Sequence, residues 1–261
     1  MMTIIVPTDL SQVADNAARY AAQMVKGIYE VHFILYHVYD KEDEKESAEV
    51  LVTKLKEELQ SRHMIKVETR LEEGGDFIDC LEKQARHSNA NLIVMGITGK
   101  SKLEQVFMGS NTLKMIEKNV CPVLVVPPTA QYFEIKNACL LSDFRDVQGS
   151  VPEVPIKNVL NLFRPALHIV NVNSDHYVSL TSDFMAERSR LMDMFQGYRP
   201  EFYFIGKFDL VETVQTFVAD KGIDMLITVP RNHSFFGNLF KTSNTKKLVY
   251  ETTIPILAAH E

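Results

Sequence analysis

Asn91-Leu-Ile-Val-Met-Gly96-Ile-Thr-Gly99, then Gly109-Ser110-Asn111-Thr112 after a nine-residue gap, then Cys121-Pro-Val-Leu-Val-Val-Pro127 decide the fold of this chain. Leu92 to Met95 is a short apolar run that stops at a glycine, the signature of a buried parallel strand whose carboxyl end opens into a loop. The loop closes on Gly109 and Ser110, where Leu113, Ile116 and Val120 begin a helical stripe. An anion of phosphate size suits such a place. Glycines let the backbone approach closely, and the Ser110 hydroxyl and the free N–H groups of a helix start point toward the ligand.

The spacing Gly-x2-Gly-x9-Gly-Ser is more specific than a lone glycine pair, because a strand precedes it and a helix follows it. It is neither Gly-x4-Gly-Lys-Ser/Thr nor Gly-x-Gly-x2-Gly. On these residues the chain resembles the universal stress protein family, whose nucleotide-binding members carry Gly-x2-Gly-x9-Gly-Ser/Thr between their fourth strand and last helix. The match is complete at Gly96, Gly99, Gly109 and Ser110.

Working toward the amino terminus, Gly74-Gly75-Asp76 caps a helix with Phe77, Ile78, Leu81 and Ala85 on one face. Gly74-Gly75-Asp76-Phe77 has a superficial likeness to the signature of cyclic-dinucleotide synthases, but that signature needs a hairpin between strands and a further acid before the Phe, and here the residues open a helix. Ile65 to Leu71 reads as a third strand and Val31 to Tyr39 as a second. Thr3 to Pro7 is a first strand ending in Thr8-Asp9-Leu10-Ser11, with Ser11 as N-cap of a helix that buries Ala14, Ala17, Ala18, Ala21, Ala22 and Val25. Pro122 to Val126 closes the set as a fifth strand. Strands alternating with helices across short connections imply right-handed crossovers and a parallel sheet covered on both faces, complete by about residue 128.

From Asn137 the plan begins again. Ala138 to Leu141 with Ser142-Asp143-Phe144 repeats Ile4 to Pro7 with Thr8-Asp9-Leu10; His168 to Val172 repeats the second strand; Ile223 to Val229 repeats the fourth. Ser243-Asn244-Thr245 and Pro255 lie 133 residues after Ser110-Asn111-Thr112 and Pro122. This is an internal duplication. The expected organisation is two α/β domains, 1–128 and 136–261, each a doubly wound parallel five-stranded sheet. It is similar to tandem universal stress proteins of the adenine-nucleotide α-hydrolase-like fold.

Asp9 stands at a strand's carboxyl end, where acids of dinucleotide folds accept hydrogen bonds from a ribose. The resemblance extends this residue by residue. It implies that Pro7, Thr8 and Asp9 flank the base and ribose, that the backbone of Val38 meets adenine, and that Met95, Gly96, Thr98, Gly99, Gly109, Ser110 and Asn111 line the phosphate side, with Lys100 and Lys102 nearby. It implies ATP or AMP as ligand, with Mg²⁺ accompanying ATP, although no carboxylate pair in the sequence commits to a metal. It also implies pairing of the apolar last strands, Val123 to Val126 with Ile256 to Ala259, as a pseudo-twofold within the chain or between two chains.

Composition narrows the classes further. At 261 residues and 46% hydrophobic content there is ample material for buried cores, and no run of eighteen apolar residues exists. The amino terminus lacks a basic n-region, so a cytoplasmic protein is expected. A formal charge of −6 argues against general nucleic-acid binding. Cys80, Cys121 and Cys139 are odd in number and sit in apolar patterns, which predicts buried free thiols. No His or Cys pair has metal-ligand spacing, and no serine context suggests an activated nucleophile, so bound ATP is expected to turn over slowly or not at all. The function expected from the resemblance is nucleotide-dependent stress signalling. The competing reading is an ATP-dependent adenylylating or hydrolysing enzyme of the same fold; such enzymes commonly carry Ser-Gly-Gly-x-Asp-Ser after the first strand, and Thr8-Asp9-Leu10-Ser11 is not that loop.

The second half is expected to bind no nucleotide. Aligning the loops by their Ser-Asn-Thr triplets puts Pro230 and His233 near the first two glycines and Thr242 at the third, in a loop one residue shorter. Asp143 and Ser243 survive, and Pro152 and Pro155 are expected to shorten the helix after Asp143.

Overall fold

A computed structural model describes residues 1–97, 110–173, 181–206, 210–230 and 252–260. The chain divides into two compact units, residues 1–133 and 134–261.

In the first unit, β1 (Met2–Pro7), β2 (Val31–Tyr39), β3 (Val67–Glu73), β4 (Leu92–Gly96) and β5 (Val123–Val126) alternate with α1 (Gln12–Met24), α2 (Lys45–His63), α3 (Phe77–His87) and α4 (Ser110–Glu117). The strands are parallel and ordered β3-β2-β1-β4-β5. The order reverses between β1 and β4, so the crevice at their carboxyl ends is the topological switch point, where open α/β sheets take ligands. Ile4, Ile5, Ile34, Leu35, Ile93 and Val94 are fully buried, as expected of strands covered on both faces.

The cap chemistry accounts for the helix starts. Ser11 Oγ accepts from the Ala14 N–H, and Asp76 Oδ1 accepts from the N–H groups of Ile78 and Asp79. Both ends of the third strand differ from the sequence reading. The third strand runs from Val67 to Glu73 rather than from Ile65 to Leu71, because α2 continues to His63 and Met64 turns left-handed at φ 54° before the chain can extend. Its far end follows β2, whose Tyr39 lies in register with Glu73. The buried stripe of α4 is Thr112, Met115 and Ile116, while Leu113 and Val120 are only half-buried.

The second unit repeats the plan with β6 (Asn137–Leu141), α5 (Glu153–Leu160), β7 (Ala166–Asn173), α6 (Ser182–Phe195), β8 (Glu201–Gly206), α7 (Leu210–Lys221), β9 (Met225–Thr228) and β10 (Ile256–Ala258). Its strands are parallel in the order β10-β9-β6-β7-β8. The prolines act as expected: α5 is eight residues against thirteen in α1, with Pro152 as its N-cap residue and Pro155 in its first turn. All three cysteines are free; Cys121 and Cys139 are buried, whereas Cys80 is only half-buried and its thiol donates to the Gly74 carbonyl at 3.3 Å. No helix among the described residues is long and apolar enough to cross a membrane.

Candidate functional site

At the end of β1 the chain makes a tight, internally bonded turn. The Thr8 N–H donates to the Tyr36 carbonyl at 2.8 Å, and Thr8 Oγ1 accepts from the Leu10 N–H at 2.9 Å. Leu10 is left-handed, φ 62°, an uncommon state for a bulky residue that local bonds must stabilise. Asp9 Oδ1 accepts from the Ser11 N–H at 3.0 Å. The result is an exposed Asp9 carboxylate standing on a Thr8 that is 1% exposed. Asp9 Oδ2 makes no hydrogen bond among the described residues, so one oxygen braces the turn and the other is available.

Two residues outside the sequence-based set brace the turn and the helix behind it. His37, on β2, meets the Thr8 carbonyl through Nδ1 at 2.7 Å; a carbonyl only accepts, so Nδ1 carries the proton. Asn16 Nδ2, on α1, donates to the carbonyls of Pro127 and Ala130 at 3.2 and 3.1 Å, tying the helix behind Asp9 to the chain leaving β5. The sequence placed His37 inside a strand, and nothing in its immediate context signals the bond. Behind them, Arg19 bridges Asp15 and Glu58. Burial raises the Asp15 carboxyl above its ordinary value, Arg19 opposes the rise, and Glu58 and Asp9 add to it.

Across the switch point, Met95 and Gly96 end β4, and α4 begins with Ser110 and an exposed Asn111. Thr112 Oγ1 donates to the Gly96 carbonyl at 2.9 Å. That bond holds the first turn of α4 at the carboxyl end of β4 and turns the helix so that Thr112 faces inward. Val38 lies one strand beyond β1, near the end of β2 and half-exposed. Pro7, Thr8, Asp9, Val38, Met95, Gly96, Ser110 and Asn111 therefore gather at the carboxyl end of the sheet. Thr98, Gly99, Lys100, Lys102 and Gly109 lie outside the described residues.

Gly96 has a second reason to be glycine. A Cβ there would stand 2.7 Å from both Val13 Cγ1 and the Val13 carbonyl oxygen, so its smallness lets α1 lie close over β4. Ligand approach, the role its place in the motif suggests, is thus not its only constraint.

The duplicated turn is preserved in the second unit. The Ser142 N–H donates to Val170, Ser142 Oγ accepts from the Phe144 N–H at 3.2 Å, Asp143 Oδ1 accepts from the Arg145 N–H at 3.2 Å, and Phe144 is left-handed at φ 52°. Strand register also corrects the loop alignment. Ala138 lies 134 residues after Ile4, but its partner Met225 lies 133 after Ile4's partner Leu92. The same difference already exists between β7 and β8, where His168 pairs with Glu201 and Ile34 with Glu68. The missing residue is thus lost between β7 and β8, the later loops are equal in length, and Val229 rather than Pro230 stands in the place of Gly96. Carrying that offset through the sequence sets Asn232, not His233, against Gly99 and leaves Thr242 against Gly109. A valine is tolerated because α5 begins at Glu153, seven residues later than the position equivalent to the start of α1.

Comparison with known proteins agrees with this architecture. The universal stress protein family model matches residues 1–127. A universal stress protein of Methanocaldococcus jannaschii is 32% identical over 140 residues, 47% of this chain and 80% of that protein. One from Synechocystis sp. is 35% identical over 136 residues, 48% of this chain and 85% of that protein. The crystal structure of a universal stress protein from Archaeoglobus fulgidus superposes with a TM-score of 0.72 at 16% identity, covering 99% of this chain and 96% of that one, a likeness of fold. By sequence and architecture, the chain belongs to the universal stress protein family.

Proposed function

We propose that the first unit binds an adenine nucleotide, ATP or AMP, and that occupancy of this site is the signal the protein conveys. The observation that carries the reading is the pairing, across one switch point, of an exposed Asp9 carboxylate with the N-terminus of α4, which Thr112 ties to Gly96. Asp9 Oδ2 would accept from ribose hydroxyls, and the unpaired N–H groups in the first turn of α4 would face the phosphates. The Val38 backbone would border the base. A magnesium ion entering with ATP would be carried chiefly by the phosphates and water, as that ion prefers. Gly99 and Gly109 would complete the cradle.

Calorimetric titration of the full chain with ATP tests the reading. Asp9→Asn keeps the acceptor that braces Ser11 and removes the charge; it should weaken ATP by about tenfold, the loss of one charge-assisted hydrogen bond. Gly109→Val should cost about 1–3 kcal/mol, roughly ten- to a hundredfold, by blocking backbone approach. Unchanged dissociation constants in both folded variants, or no ATP binding by the natural chain, would refute the site.

A further inference from the structure

We propose that His37 is a positioning residue of the nucleotide site, acting through the Thr8 carbonyl to hold the turn that presents Asp9. The proposal rests on the adenine-nucleotide reading of the first unit for its consequence, but its geometry stands apart from that reading. His37 is buried, and its Nδ1–H meets the Thr8 carbonyl at 2.7 Å, at the first position beyond β1. Thr8 is then bonded at all three of its polar groups: its N–H to Tyr36, its hydroxyl from Leu10, its carbonyl from His37. With Thr8 immobilised in this way, the left-handed Leu10 and the Asp9–Ser11 bond are built on a fixed base.

The second unit supplies an independent observation. At the duplicated position, 134 residues on, stands Asn171. It is also buried, and its Nδ2 donates to the Ser142 carbonyl at 3.0 Å. Imidazole Nδ1 and carboxamide Nδ2 are both N–H donors one bond from Cγ, so the two side chains deliver a donor to the same place. The ring is exchanged and the donor is kept. A histidine retained only to fill the space would have no reason to be matched by a much smaller amide making the same bond.

This yields a substitution test on the full chain with three proteins: the natural sequence, His37→Asn and His37→Leu. Leucine fills the volume and removes the donor; asparagine copies the second unit. ATP affinity should fall about tenfold or more in His37→Leu, the loss of one buried hydrogen bond transmitted to Asp9, and return to within about threefold of the natural value in His37→Asn. Amide hydrogen exchange of Leu10 and Ser11 without nucleotide should show lost protection in the leucine variant and retained protection in the asparagine variant. Equal ATP affinity and equal exchange in all three proteins would overturn the proposal, as would equal losses of affinity and thermal stability in both variants. If the natural chain binds no ATP, the nucleotide reading fails on its own, and the exchange data still decide whether His37 holds the turn.

Discussion

Single residues decide how the two switch points are finished, and their roles were unevenly legible. Ser11 and Asp76 could be read as caps because a short acceptor before an amphipathic run has a local meaning. Asp9 could be read because it follows a strand. His37 and Asn16 could not, since their partners lie 29 and 111 residues away and depend on which strands become neighbours. His260 is another such case. Its Nε2 is buried without a hydrogen-bond partner among the described residues, and burial pulls the imidazole from 6.5 to about 4. A histidine depressed on folding binds its proton more weakly in the native state, so its contribution is complete above pH 6.5 and is lost as pH falls from 6.5 toward about 4. His168 is pulled the same way, by burial first, with Lys221 adding and Glu201 opposing. The full His260 effect is at most about 3 kcal/mol. Thermal melts at about pH 7 and about pH 4.5 should therefore show a smaller acid-induced drop for His260→Leu than for the natural chain. Equal drops would place the acid sensitivity elsewhere.

Elements show how one glycine can answer to a helix rather than to a ligand. The order of strands and helices was legible because periodicity and caps are local. The depth at which α1 settles onto β4 was not, because it depends on a contact between Val13 and Gly96, 83 positions apart in the sequence. The facing of α4 was legible only in part: of Leu113, Ile116 and Val120, which have the apolar spacing, Ile116 is buried, and it is joined by Met115 and by Thr112, whose hydroxyl bonds the Gly96 carbonyl. In the second unit the same strand end carries Val229, and the proline-shortened α5 starts too late to object. The two halves thus pair a long helix with glycine and a short one with valine. Gly96→Ala should destabilise the protein by about 1–3 kcal/mol, because backbone and side chain of Val13 both obstruct the new methyl. Denaturant unfolding would measure it, and Val13→Ala in the same background should recover part of the loss by removing Cγ1 while leaving the carbonyl in place. Wild-type stability in Gly96→Ala would mean that α1 shifts away at no cost.

At the scale of the whole molecule, the duplication has kept one arm of the site in both units and the other arm in one. The acid turns agree bond for bond, from the strand-end hydroxyl to the left-handed residue that follows the carboxylate. The glycines do not. Val229 replaces Gly96 and, by the offset that the strand register fixes, Asn232 and Thr242 replace Gly99 and Gly109 in the sequence, residues whose side chains glycine lacks. An acidic turn without the glycines lacks the close backbone approach by which a phosphate cradle holds its ligand. The affinity of such a half-site for ATP should fall below that of the first unit by the several charge-assisted hydrogen bonds a phosphate cradle makes, each about 1.5–3 kcal/mol. Even one such bond is more than tenfold. Equilibrium dialysis of the full chain over a range of ATP concentrations should therefore saturate near one nucleotide per chain, and Asp143→Asn should leave both the stoichiometry and the dissociation constant unchanged while Asp9→Asn weakens binding. A plateau near two, with the second equivalent lost in Asp143→Asn, would show that the duplicated acid turn is sufficient for nucleotide capture and that the glycines of the first half serve its fold, as Gly96 already does beneath α1.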